Sequence, residues 1–255
     1  PEFPAMVRYA SERDIKTVAT TNSQLLHDEA YEEEILKSGL TTLVVAIDSL
    51  YEDNALFRLR KLVALKRQLD SKTLINMRMV ITKHNEHELK KMRKIAKELG
   101  VNMFTVKAIS PIYNSNCTDQ EIVPDNPEYR RYVYRKGTYE RIRIDERCRR
   151  IWETITILSN GDVVPCCYDY NSEMKVGNIR EQPLSEIWAS PAYRELRKRI
   201  YYQKDSIPKC RECYGSFKKT RSGWIVESID FNDNIKARFV NRFSRYISKL
   251  KVQTI

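Results

Sequence analysis

Apolar and β-branched residues gather in four short runs along the first half of the chain, at 14–20, 42–48, 74–81 and 101–107. Between them the apolar positions recur every three or four residues instead, so the runs predict strands and the intervening segments predict amphipathic helices. Leu56, Leu59, Leu62, Val63 and Leu65 share one face of a helix over 55–69. Leu89, Met92, Ile95, Ala96 and Leu99 do the same over 86–99, which stops at Gly100. A segment at 27–37 opens with acidic residues and ends at Ser38-Gly39, a helix stop, and 3–13 reads as a further helix. Strands alternating with helices predict an α/β fold on a parallel sheet with covered faces.

The pattern changes after Cys148. Residues 151–158 and 162–167 are β-rich and are joined by Asn160-Gly161, which predicts a hairpin on a type I′ turn with positive φ at both central residues. Cys148 is followed by twelve residues, Gly161, four residues and Cys166, and Cys210 and Cys213 follow with a chelating Cys-x-x-Cys spacing. The hairpin is expected to bring Cys166 near Cys148, and folding would add the later pair. Four thiolates suit a 4Fe-4S cluster or a structural zinc, while cysteines that bind nothing behave as small buried hydrophobes. Chelating spacing favours metal ligation.

At these residues the chain resembles the C-terminal SPASM module of radical S-adenosylmethionine enzymes, in its shorter twitch form. The resemblance rests on Cys148-x12-Gly161-x4-Cys166, Gly161-Asp162-Val163-Val164-Pro165-Cys166-Cys167, Gly177-Asn178-Ile179, Ser185-Glu186-Ile187-Trp188 and Cys210-x2-Cys213. A full SPASM module has further cysteines after the last pair and binds two auxiliary clusters. Phe217 and Lys219 stand in the region where such thiols are expected, and no cysteine follows Cys213. The resemblance therefore implies one auxiliary 4Fe-4S cluster on Cys148, Cys166, Cys210 and Cys213. Cys167 is expected to pack as a spare neighbour, able to replace Cys166 only if the hairpin slipped by one residue.

The same resemblance implies that the sheet is a partial (β/α)6 TIM-like barrel missing its first strands, followed by a small α+β SPASM/twitch domain with a β-hairpin. The implied domains are 1–110, a partial barrel; 111–147, a linker with the last barrel elements; 148–217, the iron-sulfur domain; and 218–255, a C-terminal extension. The first helix looks like the one that follows the family's second barrel strand. The family's Cys-x3-Cys-x2-Cys triad and Gly-Gly-Glu-Pro element are absent from these residues, and the chain begins at Pro1, so it is expected to be an N-terminally truncated portion. It should not cleave S-adenosylmethionine by itself. In a complete enzyme a catalytic 4Fe-4S cluster would convert that cofactor to a 5′-deoxyadenosyl radical, and the auxiliary cluster would accept an electron from the substrate radical or support the site.

Family position places S-adenosylmethionine across the C-terminal strand ends, where Asn22, Asp48, Arg78, Thr82 and Lys107 stand; each also fits an ordinary strand-end polar group that caps a helix or meets solvent. The segment after Asp48-Ser49-Leu50 is shorter than the family's, with Tyr51-Glu52-Asp53-Asn54 leading into the next helix. The implied substrate is a sugar, an aminocyclitol or a peptide, and the implied electron donor is a flavodoxin or ferredoxin. A zinc-stabilised binding module without catalysis is the competing reading.

Composition adds little. A net charge of +11 invites nucleic acid, but the cations are spread along helices and no nucleic-acid fingerprint appears. Six cysteines in metal-type spacing, no signal peptide and no apolar run of transmembrane length fit a cytoplasmic protein. Cys117 is alone in the linker, whose Pro111, Asn114, Asn116, Pro124 and Pro127 suggest a domain division near 110–126. Phe239, Val240, Phe243, Tyr246, Ile247 and Leu250 form an apolar stripe opposed by arginines and lysines, a basic amphipathic helix expected to dock on its own domain or to touch a membrane surface.

Overall fold

Residues 74–81 alternate between helix-covered and open sides, and they form β3, Leu74–Ile81, at the centre of a five-stranded sheet. The computed structural model describes residues 2–24, 26, 28–110, 118–142, 148, 150–211, 213 and 225–231. Strands β1 (Val18–Thr21), β2 (Thr42–Ala46), β3 and β4 (Met103–Ala108) pair in parallel in that order. Helices α1 (Phe3–Ser11), α2 (Glu29–Lys37), α3 (Asp53–Gln68) and α4 (Leu89–Leu99) separate or precede them. Their apolar faces meet Leu43, Val45, Ile75, Met77, Met79, Ile81, Phe104 and Val106 in one core. The α/β reading with a parallel sheet holds.

Local chemistry sets the element ends. Asp28 accepts from the N–H groups of Ala30 and Tyr31 and starts α2, so the helix opens after His27, which lies outside the described residues. Gly100 ends α4 at φ +74°, the left-handed stop that glycine allows. The run at 14–20 is a strand only from Val18: Asp14 turns to φ +55° and the Ile15 N–H returns to the Ala10 carbonyl, closing α1.

The chain divides into two compact units, residues 1–140 with 218–255, and residues 141–217. The first extends past the proline-rich stretch because the following segment folds back on the β3–α4 connection. There the Lys83 N–H donates to the Ile122 carbonyl at 3.0 Å, and Glu86 accepts from the N–H groups of Asp125 and Asn126. The short helix α5, Asp119–Ile122, begins in this segment with a capping box between Thr118 and Glu121.

The sequence reading contained no strand in 218–255, yet β8, Ile225–Asp230, pairs antiparallel with β4 at the sheet edge. Arg93 of α4 clamps it through two bonds to the Glu227 carboxylate. The amphipathic stripe from Phe239 onward, Cys117, Phe217 and Lys219 lie outside the described residues. Among the described residues no helix is long and apolar enough to cross a membrane.

In the second unit, β5 (Thr156–Ile157), β6 (Asp162–Val164) and β7 (Gly177–Asn178) form an antiparallel sheet. It is accompanied by α6 (Arg150–Glu153), α7 (Leu184–Ala189), α8 (Pro191–Tyr202) and α9 (Pro208–Arg211). The expected strand over 151–158 is thus mostly replaced: its first residues are helical, and only Thr156 and Ile157 pair with β6. The cause is Ile151, which a helical turn buries against Ile200 and Ile207.

Candidate metal centre

The hairpin that carries Cys166 turns differently from its sequence prediction. Asn160 keeps a negative φ, Gly161 alone is positive at +89°, and the Leu158 carbonyl accepts from the Gly161 N–H at 2.9 Å. Leu158 N–H then donates to the Asp162 carbonyl, giving a three-residue loop closed by a glycine bulge in place of a type I′ turn. Space also requires the glycine, because a Cβ at Gly161 would stand 2.7 Å from Asn178 Oδ1.

A polar lock holds this loop to β7. Asp162 accepts from Asn160 Nδ2 at 2.8 Å, Asn178 Nδ2 at 2.9 Å and Lys175 Nζ at 2.5 Å. The bond from Lys175 above all, with help from Asn178, Asn160 and Ser172 and against the cost of burial, pulls the Asp162 carboxyl down to about 2. Beyond β6, the Asp169 N–H donates to the Cys166 carbonyl, and the fully buried Asp169 carboxylate accepts from the N–H groups of Glu173 and Met174. Neither Asp162, Asp169 nor Asn178 was singled out as a site residue in the sequence. A polar residue that braces a ligand loop has no spacing signature of its own.

Cys148 and Cys210 pack against the cluster of Ile151, Ile200 and Ile207, and both, like Cys166 and Cys213, are half-buried. Cys210 stands on α9, where its N–H and that of Arg211 bond to the Ile207 carbonyl, and the Cys213 N–H returns to the Cys210 carbonyl at 3.3 Å. Burial pushes the Cys210 thiol up to about 12, with the charges of Cys166, Cys213 and Cys148 adding to the rise and Lys204 opposing it. Burial likewise pushes Cys166 up to about 11, against a bond from the Tyr168 N–H and with Cys167, Cys148 and Cys213 adding. The four cysteines therefore lie within electrostatic reach of one another. Among the described residues, no three His, Cys, Asp or Glu side chains are drawn together as a closed coordination group. Coulombic coupling acts over a longer range than coordination, so the thiols converge without closing. Buried thiolates this near repel one another, and a metal's positive charge removes that cost; a four-sulfur donor set fits an iron-sulfur cluster and also a zinc ion. Cys167 differs from its expectation as a packed neighbour: it is exposed and accepts a bond from Arg150.

The strand-end residues of the sheet unit separate into two groups. Asp48, Arg78 and Lys107 come together on the side of the sheet opposite the helix-packed core, since Arg78 pairs with Ala46 and Thr105, and Val80 with Lys107. Arg78 is half-buried, its Nε donates to Thr105 Oγ1 at 3.2 Å, and burial lowers its pKa. Asp48 accepts from the Val80 N–H at 2.6 Å; burial raises its carboxyl, opposed by that bond and by Lys107.

Asn22 and Thr82 do not join this group. Asn22 is exposed just after β1 and turns its Oδ1 onto the Gln24 N–H, the local polar role. Thr82 N–H donates to Asn85 Oδ1. Two residues absent from the sequence reading, Asn85 and Glu88, fasten the short loop after β2: Asn85 Nδ2 donates to the carbonyls of Asp48 and Val80, and Glu88 accepts from the Leu50 N–H at 2.7 Å.

Residues 148–214 match the SPASM family, described as an iron-sulfur cluster-binding domain. The chain is 26% identical over 254 residues to the tungsten-containing aldehyde ferredoxin oxidoreductase cofactor-modifying protein of Pyrococcus furiosus, covering 84% of this chain and 69% of that protein. It is 26% identical over 240 residues to the AdoMet-dependent heme synthase of Methanosarcina barkeri, covering 77% and 67%. A shorter match of 46 residues, 18% of each chain, is 41% identical to the S-adenosyl-L-methionine-dependent 2-deoxy-scyllo-inosamine dehydrogenase of Niallia circulans. The crystal structure of BtrN in an open conformation aligns over 84% of this chain and 78% of its own at 16% identity, and its TM-score of 0.33 is too low to define the fold.

Proposed function

We propose that this chain, which carries a SPASM iron-sulfur domain at 148–214 and is similar to an AdoMet-dependent heme synthase over 77% of its length, forms the cluster-binding portion of a radical S-adenosylmethionine oxidoreductase. In this reading Cys148, Cys166, Cys210 and Cys213 hold one auxiliary 4Fe-4S cluster. The observation that carries it is the packing of Cys148 and Cys210 on one apolar cluster, with Cys166 and Cys213 near enough to act on Cys210 electrostatically.

A cluster held there would supply one-electron exchange and could accept an electron from a substrate radical, while a flavodoxin or ferredoxin would serve the complete enzyme as electron donor. The protein's part is to hold that cluster in a dry and rigid place. Ile151, Ile200 and Ile207 exclude water beside Cys148 and Cys210. Asp169 fixes the backbone beyond Cys166, and the Asp162, Asn178 and Lys175 lock fixes the hairpin before it.

The sheet unit, read as part of a (β/α)6 barrel, would receive S-adenosylmethionine and substrate at its strand ends, with Asp48 and Arg78 as contacts and Asn22 at the margin. Arg78 supports this because no carboxylate among the described residues pairs with its half-buried guanidinium, which suits an anionic group of a ligand. The substrate class that fits best is a small alcohol or amine such as an aminocyclitol or sugar, with a peptide as the other member; the local likeness to an inosamine dehydrogenase supports the former.

The test is anaerobic reconstitution of the chain with iron and sulfide, with a Cys210→Ala variant alongside. About four irons and four sulfides per chain, lost in the variant, are expected for this cluster type. One zinc and no sulfide in the purified wild type would leave a zinc-stabilised binding module instead.

A further inference from the structure

Helix α8 buries a cation inside the cysteine unit. Arg197 is only 6% exposed, and its Nε and Nη1 donate to two backbone carbonyls, Ile151 at 3.1 Å and Trp188 at 2.8 Å. Its guanidinium lies 3.8 Å from the Tyr193 ring centroid and 4.1 Å from that of Trp188, with Trp152 at 5.4 Å. No carboxylate among the described residues is paired with it, and burial lowers its pKa. Ring faces and carbonyl dipoles offset part of the cost of a buried cation, and an anionic neighbour would offset the rest.

Two donors in the same place are unmatched. Arg197 Nη2 and Tyr193 Oη are both buried, and neither completes a well-formed hydrogen bond, although the guanidinium and the phenol lie near enough to act on each other. They stand beside the segment that carries Cys148. Ile151, whose carbonyl takes Arg197 Nε, follows Cys148 by three residues and packs its side chain with Cys148 and Cys210. The Tyr193 hydroxyl feels burial first, then the guanidinium, and then the charges of Cys166 and Cys148.

Resting on the cluster reading above, we propose that Arg197 and Tyr193 stand behind the cysteines as positioning residues that hold the cluster's reduction potential up, one by a fixed positive charge and the other by a hydroxyl donor. Reduction adds one negative charge to the cluster, so a nearby buried cation stabilises the reduced form more than the oxidised form. Burial keeps that effect from being screened by salt. Hydrogen bonds to cluster sulfurs act in the same direction.

The test compares wild type, Arg197→Gln, Arg197→Lys and Tyr193→Phe, all as the full chain reconstituted anaerobically. Iron and sulfide are counted, and each protein is then titrated with dithionite while the reduced cluster is followed by electron paramagnetic resonance. All four should retain iron. Arg197→Gln should shift the midpoint to lower potential, Tyr193→Phe should shift it less in the same direction, and Arg197→Lys should stay close to wild type. Unshifted midpoints in the Gln and Phe variants at full iron loading overturn the proposal. Equal shifts in the Gln and Lys variants also overturn it, because packing and not charge would then be responsible, and so does loss of iron from all three. If Arg197→Gln does not fold, Tyr193→Phe, which keeps the ring and its burial, decides. A wild type that takes up zinc and no sulfide removes the cluster reading itself, and that result is visible before any variant is compared.

Discussion

The sheet unit closes over a continuous apolar core that runs from Val7 through Leu59, Met77 and Phe104 to Val106, whereas the described residues of the cysteine unit form two small clusters, one around Val163, Ile187 and Tyr193 and one around Ile151, Ile200 and Ile207. Residues 141–217 fall in the size range, below roughly 70–80 residues, where a core alone rarely suffices and disulfides or metals supply the difference. Among the described residues, no disulfide joins its cysteines at 148, 166, 167, 210 and 213. Stability in the first unit comes from buried area. In the second it is divided among polar locks, a caged arginine and whatever the cysteines bind.

The sharpest way to break this comparison is to remove the metal. In a chelated or Cys210→Ala chain, hydrogen exchange should rise strongly across 150–211 while β2, β3 and β4 stay protected. Equal loss of protection in both units would show that the sheet unit is not independently stable. Phe104 sits at 0% exposure in the sheet core, so Phe104→Ala should cost about 3–5 kcal/mol in denaturant unfolding of that unit. Iron per folded chain should not change; a matching loss of iron would mean the units are coupled.

The smallest effect belongs to Asp48, whose folded carboxyl is raised above its ordinary 3.8 by burial. A raised carboxyl favours folding in its protonated form, so its contribution is fully present below about pH 4 and is lost as pH rises through the folded value. At pH 7 the ionised group is therefore a net cost. Asp48→Asn, which keeps an oxygen for the Val80 N–H, should make the sheet unit slightly more stable at pH 7 than wild type, and the gain should fade towards pH 4. Urea titrations at the two pH values measure it, and a gain that does not change with pH would contradict the buried-charge account.

Legibility followed the range of the interactions. The short apolar run at Leu74–Ile81 marks β3 at its true ends, because such residues suit a strand whose face is covered by helices. Residues 14–17 were misread as strand because Ile15 is apolar, although its N–H belongs to the end of α1. β8 was missed since its partner β4 lies more than a hundred residues away, and nothing local in Ile225–Asp230 announces that pairing. At the cysteines, spacing was enough to name the four residues. It was not enough to find Asp169 or Arg197, because in the sequence Arg197 is one of several cations on α8, beside Arg194 and Arg199.

The sequence by itself determined the alternation of strands and helices, the glycine stop at Gly100, and the set of cysteines, because each depends on backbone propensity or on spacing along the chain. Only the tertiary structure decided which cation is caged, which carboxylate braces the ligand loop, and which strand-end residues meet. Burial and charge coupling depend on what distant segments place around a group, and Arg197 is distinguished from its neighbours only by the carbonyls of Ile151 and Trp188 and the rings that enclose it.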